Sequence, residues 1–98
     1  MPQVTIVYWR DIPAQVIVGA GRKASKRQLA ERFEQAIDRA AMKVGADGSD
    51  AYLAEWRKVP SGEQDGEADA IAAAEAERLE TTYDKERLKA LIDNDGWA

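Results

Sequence analysis

The sequence has no histidine and no cysteine. Histidine is the side chain that titrates near neutral pH, and a cysteine thiolate is both a nucleophile and a metal ligand. Their absence excludes Ser-His and Cys-His catalysis, disulfide bonds, and the usual sites for zinc, copper, haem and iron–sulfur clusters. The carboxylates, lysines and tyrosines that remain form no recognisable catalytic group. We therefore expect a protein that is not an enzyme and that has no metal site and no cofactor.

Long apolar runs are also missing, and none approaches the roughly 18 residues that a membrane helix needs. Residues 1–4, MPQV, lack the basic start and the apolar stretch of a signal peptide. These two features predict a cytoplasmic protein without membrane contact. Of the 98 residues, 45% are hydrophobic and 33% are charged, which is a globular balance. This length predicts a single domain over residues 1–98.

Charge is unevenly distributed along the chain. Residues 1–45 carry eight Lys/Arg against four Asp/Glu, a balance of +4, whereas residues 46–98 carry six against fourteen, a balance of −8. The two halves can attract each other within one fold, or the asymmetry can orient binding to a charged partner. The first explanation is the simpler one. Because the net charge is −4, we do not expect nucleic-acid binding.

The first residues predict an antiparallel β-hairpin. Residues 4–9, VTIVYW, are β-branched and aromatic, and residues 14–18, AQVIV, have the same character. Residues 10–13, RDIP, favour a turn, with Pro13 at the entry to the second strand. An isolated hairpin is marginal in water, so we expect strands at about 3–9 and 14–18 with helices on at least one face. The other face is free to meet a partner.

Helices are predicted to cover this hairpin, which makes the fold class α+β. Ser25 and Gln28 match a capping box, and the helical stripe of apolar residues behind them is ended by Gly45. This pattern predicts a helix at about 26–44. A short second helix is predicted at about 50–58, where aromatic residues share one face.

The rest of the chain predicts a loop followed by two helices. Residues 60–66, PSGEQDG, have no apolar anchor and are predicted to form a mobile loop. An Ala- and Glu-rich segment predicts a helix at about 67–82, and Asp84 is a suitable cap for a last helix at about 84–93. The apolar spacing is interrupted near residues 81–82, which separates these two helices.

Four basic residues surround the predicted start of the first helix: Arg22, Lys23, Lys26 and Arg27. Free backbone N–H groups and the helix dipole favour an anion there, so a phosphate, a carboxylate or a nucleotide could bind. The alternative is a solvated basic turn that contacts the acidic second half of the chain. Residues 19–24, GAGRKA, also match the G-x-G-x-x-A dinucleotide fingerprint. No second parallel strand is predicted after the helix, so we interpret these glycines as a chain reversal.

Tyr8, Trp9, Arg10 and Asp11 place two aromatic rings and two opposite charges at the end of the first strand. This composition is typical of interface anchors. If Trp9 is exposed, the segment marks a docking surface for a protein partner. If Trp9 packs into the core and Arg10 pairs with Asp11, the segment is structural. The sequence leaves both possibilities open.

The run VTIVYWRDIPAQV, residues 4–16, resembles the bacterial "virulence factor" domain family. The likeness continues at Phe33, Ala36, Ile37, Asp38, Ala41, Met42, Tyr52, Leu53 and Trp56, and returns at Tyr83, Asp84, Arg87 and Leu88. Longer relatives, the conserved virulence factor C proteins, join such a domain to an Nfu-type domain and HEAT repeats. The stand-alone alphaproteobacterial type implies an accessory protein associated with cobalamin-dependent methyl transfer and methionine formation. The resemblance implies no catalytic residue.

Two hypotheses follow for the function. In the first, the protein is a non-catalytic accessory module that docks through residues 8–11 and the basic loop at 22–27 onto a larger protein, such as a corrinoid methyltransferase component. In the second, it is a regulatory module that binds a small anion or a nucleotide at the basic loop.

Overall fold

A computed structural model describes residues 2–19, 21–45 and 50–98. These residues form four β-strands, four α-helices and one short 3-10 turn. In chain order the elements are β1 Gln3–Trp9, β2 Ile12–Val18, the 3-10 turn Gly21–Lys23, β3 Ser25–Gln28, α1 Glu31–Lys43, α2 Asp50–Ala54, β4 Trp56–Glu63, α3 Ala68–Thr82 and α4 Lys85–Asp93. None of the helices in the described ranges is both long and apolar enough to cross a membrane.

The strands form one antiparallel sheet in the order β3-β2-β1-β4. β1 and β2 are the predicted hairpin, and β3 pairs with the outer side of β2. β4 pairs with β1 along its whole length, from Gln3 opposite Glu63 to Trp9 opposite Trp56. Because helices pack on this sheet, the predicted α+β fold class is confirmed.

One face of the sheet carries most of the core. Residues opposite each other on paired strands share a face, and Val4, Ile6 and Val18 share one that is buried. Ser25 on β3 lies opposite Val18 and therefore belongs to the same face. Its hydroxyl donates a hydrogen bond to the carboxylate of Asp69 at the start of α3. α3 therefore covers this face.

The second face is partly exposed along the strands and covered at the hairpin end. Thr5, Val7 and Ile17 point to this face and are half-buried. Trp9 follows them on β1 and is fully buried with its partner Ile12. The residues on either side of the hairpin turn are therefore buried, whereas Arg10 and Asp11 in the turn itself are half-buried.

The helices follow their predicted patterns well. α3 and α4 lie at the predicted positions, and α1 packs against α4. Four residues of the predicted apolar stripe are buried on α1, namely Phe33, Ala36, Ile37 and Ala40, and the neighbouring Ala41 is buried as well. Gly45 follows the end of α1 with a φ of +73°, as expected for a glycine that ends a helix. The carboxylate of Asp84 accepts a hydrogen bond of 2.9 Å from the backbone N–H of Arg87, which confirms the predicted cap of α4.

Two predicted helices are shorter in the structure. The first begins at Glu31 instead of residue 26, and the second ends at Ala54 instead of residue 58. Ser25–Gln28 forms β3, so the predicted capping box is wrong. The backbone N–H and C=O groups of this segment form hydrogen bonds with β2. The sequence of residues 25–28 alone does not reveal this pairing with a separate strand.

The predicted mobile loop at 60–66 is wrong over its first four residues, because β4 extends to Glu63. Pro60 is tolerated because an edge strand needs ladder hydrogen bonds on one side only. Ser61 is an extra residue in the pairing with β1, and Gly62 next to it has a φ of +104°. The proline and glycine that predict a loop therefore mark an irregular edge strand.

Candidate functional site

The aromatic end of the hairpin is built into the core. Trp9 has 0% exposure, and its indole Nε1 donates a hydrogen bond of 2.9 Å to the backbone carbonyl of Tyr52. The centroids of the Trp9 and Tyr52 rings are 5.8 Å apart. Because no part of Trp9 reaches the surface, it cannot contact a partner directly. Of the two alternatives for Trp9, packing into the core is therefore the one that the structure shows.

Arg10 is held between two indole rings. The central carbon of its guanidinium lies 5.0 Å from the Trp9 ring centroid and 5.2 Å from that of Trp97. Its Nη1 donates to the backbone carbonyl of Asp95 at 2.6 Å, and its Nε lies 3.5 Å from a carboxylate oxygen of Glu55. The backbone of Arg10 has a φ of +54°, so the residue also forms the turn. The cation is therefore engaged within the fold.

Asp11 pairs with Arg57 instead of its neighbour Arg10. Nη2 of Arg57 donates to one carboxylate oxygen of Asp11 at 2.6 Å, and the backbone N–H of Ala98 donates to the other at 2.7 Å. The backbone N–H of Asp11 donates to the carbonyl of Gly96 at 2.8 Å. The turn of the hairpin is thus fastened to the last residues of the chain.

Tyr8 is half-buried beside this turn. The guanidinium of Arg57 lies 5.1 Å from its ring centroid. Burial raises the pKa of the Tyr8 hydroxyl, Tyr83 raises it further, and the positive charge of Arg57 opposes the shift. Residues 8–11 are therefore occupied by contacts within the protein, and the structure offers no free aromatic anchor at this position.

The basic loop does not lie at a helix start as the sequence predicts. Arg22 and Lys23 belong to the 3-10 turn, whereas Lys26 and Arg27 belong to β3, and α1 begins only after that strand. Lys26 and Arg27 are adjacent in a strand, so their side chains leave opposite faces of the sheet. Ala20 and the side chain of Lys23 lie outside the described part of the chain. The helix dipole therefore does not act at this loop, and anion binding there stays a prediction.

Another set of cations does converge, in a groove between α1 and α4. Arg32 and Arg39 come from α1, and Lys85 and Lys89 come from α4. Residues seven or four positions apart lie on the same side of a helix, which aligns each pair along its helix. Because α1 packs against α4, the two pairs border a single groove. We call this feature the basic groove.

The floor of the basic groove is apolar. Ala36, Leu88 and Ile92 line it, Gln35 lies on the rim, and the space measures about 390 Å³. Ala36 and Leu88 also belong to the protein core, where they are 4% and 3% exposed. A site of this kind fits a ligand that has an apolar body and negatively charged flanks.

The cations of the basic groove have few partners in the fold. Arg39, Lys85 and Lys89 are exposed, and none of them forms an ion pair with a described residue. Arg32 donates through Nη2 to the backbone carbonyl of Glu80 at 2.5 Å, while its buried Nε has no hydrogen-bond partner among the described residues. Four positive charges in a protein of net charge −4 create a local site of positive potential.

The basic groove could not be predicted from either helix alone. The sequence of α1 shows only the pair Arg32 and Arg39 at the border of its apolar stripe. The sequence of α4 shows only the pair Lys85 and Lys89. Each pair separately is an ordinary solvated helix face. The packing of the two helices, which local patterns do not specify, is what brings the pairs together.

Comparison with known proteins identifies the family of the chain. A profile of the family described as Virulence factor matches residues 7–92. The chain belongs to this family. The resemblance seen at residues 4–16 is thereby confirmed. No curated protein and no solved structure matches the chain.

The virulence factor domain contains the whole basic groove, because the matched residues extend from before Arg32 to Ile92. The C-terminal residues that contact the hairpin turn lie beyond the match, at Asp95, Gly96, Trp97 and Ala98, whereas Arg57, which also binds Asp11, lies within it. Within residues 2–19, 21–45 and 50–98, no group of three or more acidic side chains could hold a metal ion.

Proposed function

We propose that this member of the family is a non-catalytic accessory module that binds an acidic segment of a larger protein in the basic groove. The observation that carries the proposal is the convergence of four cations, without an ion-pair partner among the described residues, around an apolar floor. The absence of histidine and cysteine supports the non-catalytic part. The groove replaces the hairpin end as the docking surface, because Trp9 is fully buried.

The shape of the basic groove favours a helical segment. Two helices packed side by side leave a seam in which a third amphipathic helix can place its apolar residues. Leu88 and Ile92 would meet those residues, and acidic side chains on either flank would face Arg39 and Lys89. Burial on the floor supplies affinity at about 25 cal/mol per Å². The charges chiefly select the partner and accelerate association.

The resemblance to stand-alone family members supplies the first partner to test, a component of a corrinoid methyltransferase system. In this part of the proposal, the module supports cobalamin-dependent methyl transfer and methionine formation by binding the enzyme. It uses no cofactor of its own.

Photo-cross-linking in the native cell tests the proposal. A photoreactive amino acid replaces Gln35, which is exposed on the rim of the basic groove, and a control places it at Arg22, which is exposed on the 3-10 turn. We expect position 35 to capture one protein through a peptide rich in Asp and Glu, and position 22 not to capture it. Failure to capture a protein at position 35, or equal capture at both positions, contradicts the proposal that the basic groove binds the partner. Capture of an acidic peptide from a protein unrelated to methyl transfer overturns the methyl-transfer part alone.

A further inference from the structure

A small recess lies on the side of α1 that faces away from the basic groove. It measures about 130 Å³ and is bordered by α1, α2 and one residue from each of β2, β3 and β4. Leu29 and Ile37 form an apolar base, and the rings of Tyr52 and Trp56 form part of the wall. We call this feature the aromatic recess. The accessory function proposed above makes no use of it.

Two carboxylates border the aromatic recess. Glu34 and Asp38 are one helical turn apart on α1, and both are exposed. Neither forms an ion pair with a described residue. Burial raises the pKa of the Tyr52 hydroxyl, and the negative charges of Asp38 and Glu34 raise it further. Negative potential therefore reaches the recess itself.

The aromatic part of the recess is held in place by the core. The Tyr52 and Trp56 rings are nearly perpendicular, at 88°, with centroids 5.9 Å apart. The Trp9 ring lies 5.8 Å from the Tyr52 ring, centroid to centroid, and its indole Nε1 donates to the Tyr52 backbone carbonyl at 2.9 Å. An arrangement that exists before a ligand binds costs less ordering entropy on binding.

We propose that the aromatic recess binds a small alkylated ammonium ion. The positive charge is attracted by Glu34 and Asp38, and an ion in so small a recess lies within the distance at which aromatic rings stabilise cations. The alkyl groups pack against the apolar base. A primary ammonium ion fits less well, because it has fewer alkyl groups to pack against Leu29 and Ile37 and loses more hydration when it leaves water.

The test uses tetramethylammonium chloride as the probe and follows two-dimensional NMR spectra of the whole chain. We expect saturable shifts at the Trp56 indole N–H and at residues around the recess, with a dissociation constant on the order of 1 mM. Methylammonium chloride, which supplies a primary ammonium ion, should bind several-fold more weakly, and sodium chloride at equal ionic strength should produce no saturable shift. Equal responses to sodium and tetramethylammonium chloride would overturn the proposal.

Two matched double variants distinguish binding of the cation in the aromatic recess from nonspecific attraction of the cation to an acidic protein. Glu34→Gln with Asp38→Asn should weaken tetramethylammonium binding by about tenfold or more. Glu31→Gln with Glu86→Gln makes the same change in net charge at exposed positions outside the recess, and its affinity should equal that of the wild type. Wild-type affinity in the first double variant, or equal losses in both, contradicts the site. Thermal unfolding of each variant verifies that it is folded.

Discussion

At the scale of single residues, Trp9 organises the end of the hairpin. Its indole is fully buried, donates a hydrogen bond to Tyr52, and forms one of the two rings that hold Arg10. The sequence marks this tryptophan as prominent but does not show on which side of the surface it lies. Its burial moves the candidate docking surface from the hairpin to the helices.

Replacing Trp9 should therefore affect stability before it affects binding. We expect Trp9→Ala to lower the free energy of unfolding by about 3–5 kcal/mol, because it leaves a large cavity. Trp97→Ala, at a ring that is 44% exposed and also contacts Arg10, should cost about 1 kcal/mol. Urea denaturation of both variants measures the difference. Equal losses would contradict the account of Trp9 as a core residue.

Alanine substitutions at two glycines distinguish the destabilisation caused by backbone strain from that caused by steric contact. Gly62 and Gly96 have φ values of +104° and +91°, so an alanine is strained at either position. A Cβ at Gly96 would also lie 3.1 Å from both Trp9 Cζ3 and Arg10 Cδ, whereas a Cβ at Gly62 has nothing within 4 Å. We expect Gly62→Ala to cost about 1 kcal/mol and Gly96→Ala about 2–3 kcal/mol in the free energy of unfolding. A larger loss at Gly62 in urea denaturation would refute this explanation.

The two tyrosines with raised pKa values predict how stability changes in alkaline solution. The unfolded chain releases these phenolic protons near pH 10, whereas burial in the folded protein raises the pKa of Tyr8 and of Tyr52. Their contribution to stability is therefore present below about pH 10 and is lost as the pH rises through the folded-state pKa values. The free energy of unfolding should fall from about pH 9 to about pH 11, and it should fall less steeply in a Tyr8→Phe, Tyr52→Phe double variant. A slope that is unchanged in the double variant would show that other groups cause the loss.

At the scale of elements, β4 provides the sharpest test of the fold. Most residues of β4 are exposed and one of its edges is unpaired, but its other edge pairs with β1 from Trp9 to Gln3. We expect hydrogen exchange to show slowly exchanging amides within Trp56–Glu63, alternating with fast ones, because only the groups that face β1 are bonded. A mobile loop would exchange at unprotected rates throughout this segment. Uniformly fast exchange would therefore contradict the strand.

Local patterns were sufficient for some elements and insufficient for others. β1, β2, α3 and α4 could be predicted, because β-branched runs, Ala- and Glu-rich runs and the Asp84 cap are signals contained within the element itself. β3 and β4 could not, because their residues become strands only by pairing with a hairpin that is distant in sequence. The basic groove was missed for the same physical reason, since Arg39 and Lys89 meet only through the packing of α1 on α4.

At the scale of the whole molecule, the charge asymmetry is partly neutralised within the fold. Lys43 of the basic half donates to the Asp95 carboxylate at 2.9 Å, and Arg10 lies beside Glu55. On α1, charges of opposite sign lie on opposite sides of the helix, with the arginines of the basic groove on one side and the carboxylates of the aromatic recess on the other. Such segregation allows one small domain to bind an acidic protein segment and a small cation independently.

Binding of an acidic partner in the basic groove can be measured by titrating the protein captured through position 35 against three forms of this chain. These are the wild type, Arg39→Glu with Lys89→Glu in the groove, and Lys26→Glu with Arg27→Glu in the basic loop, which makes the same change in net charge. We predict about tenfold or greater weakening for the groove variant, near wild-type affinity for the loop variant, and weaker wild-type binding at about 300 mM than at about 50 mM salt. Wild-type affinity in the groove variant, or a loss confined to the loop variant, would contradict binding in the basic groove.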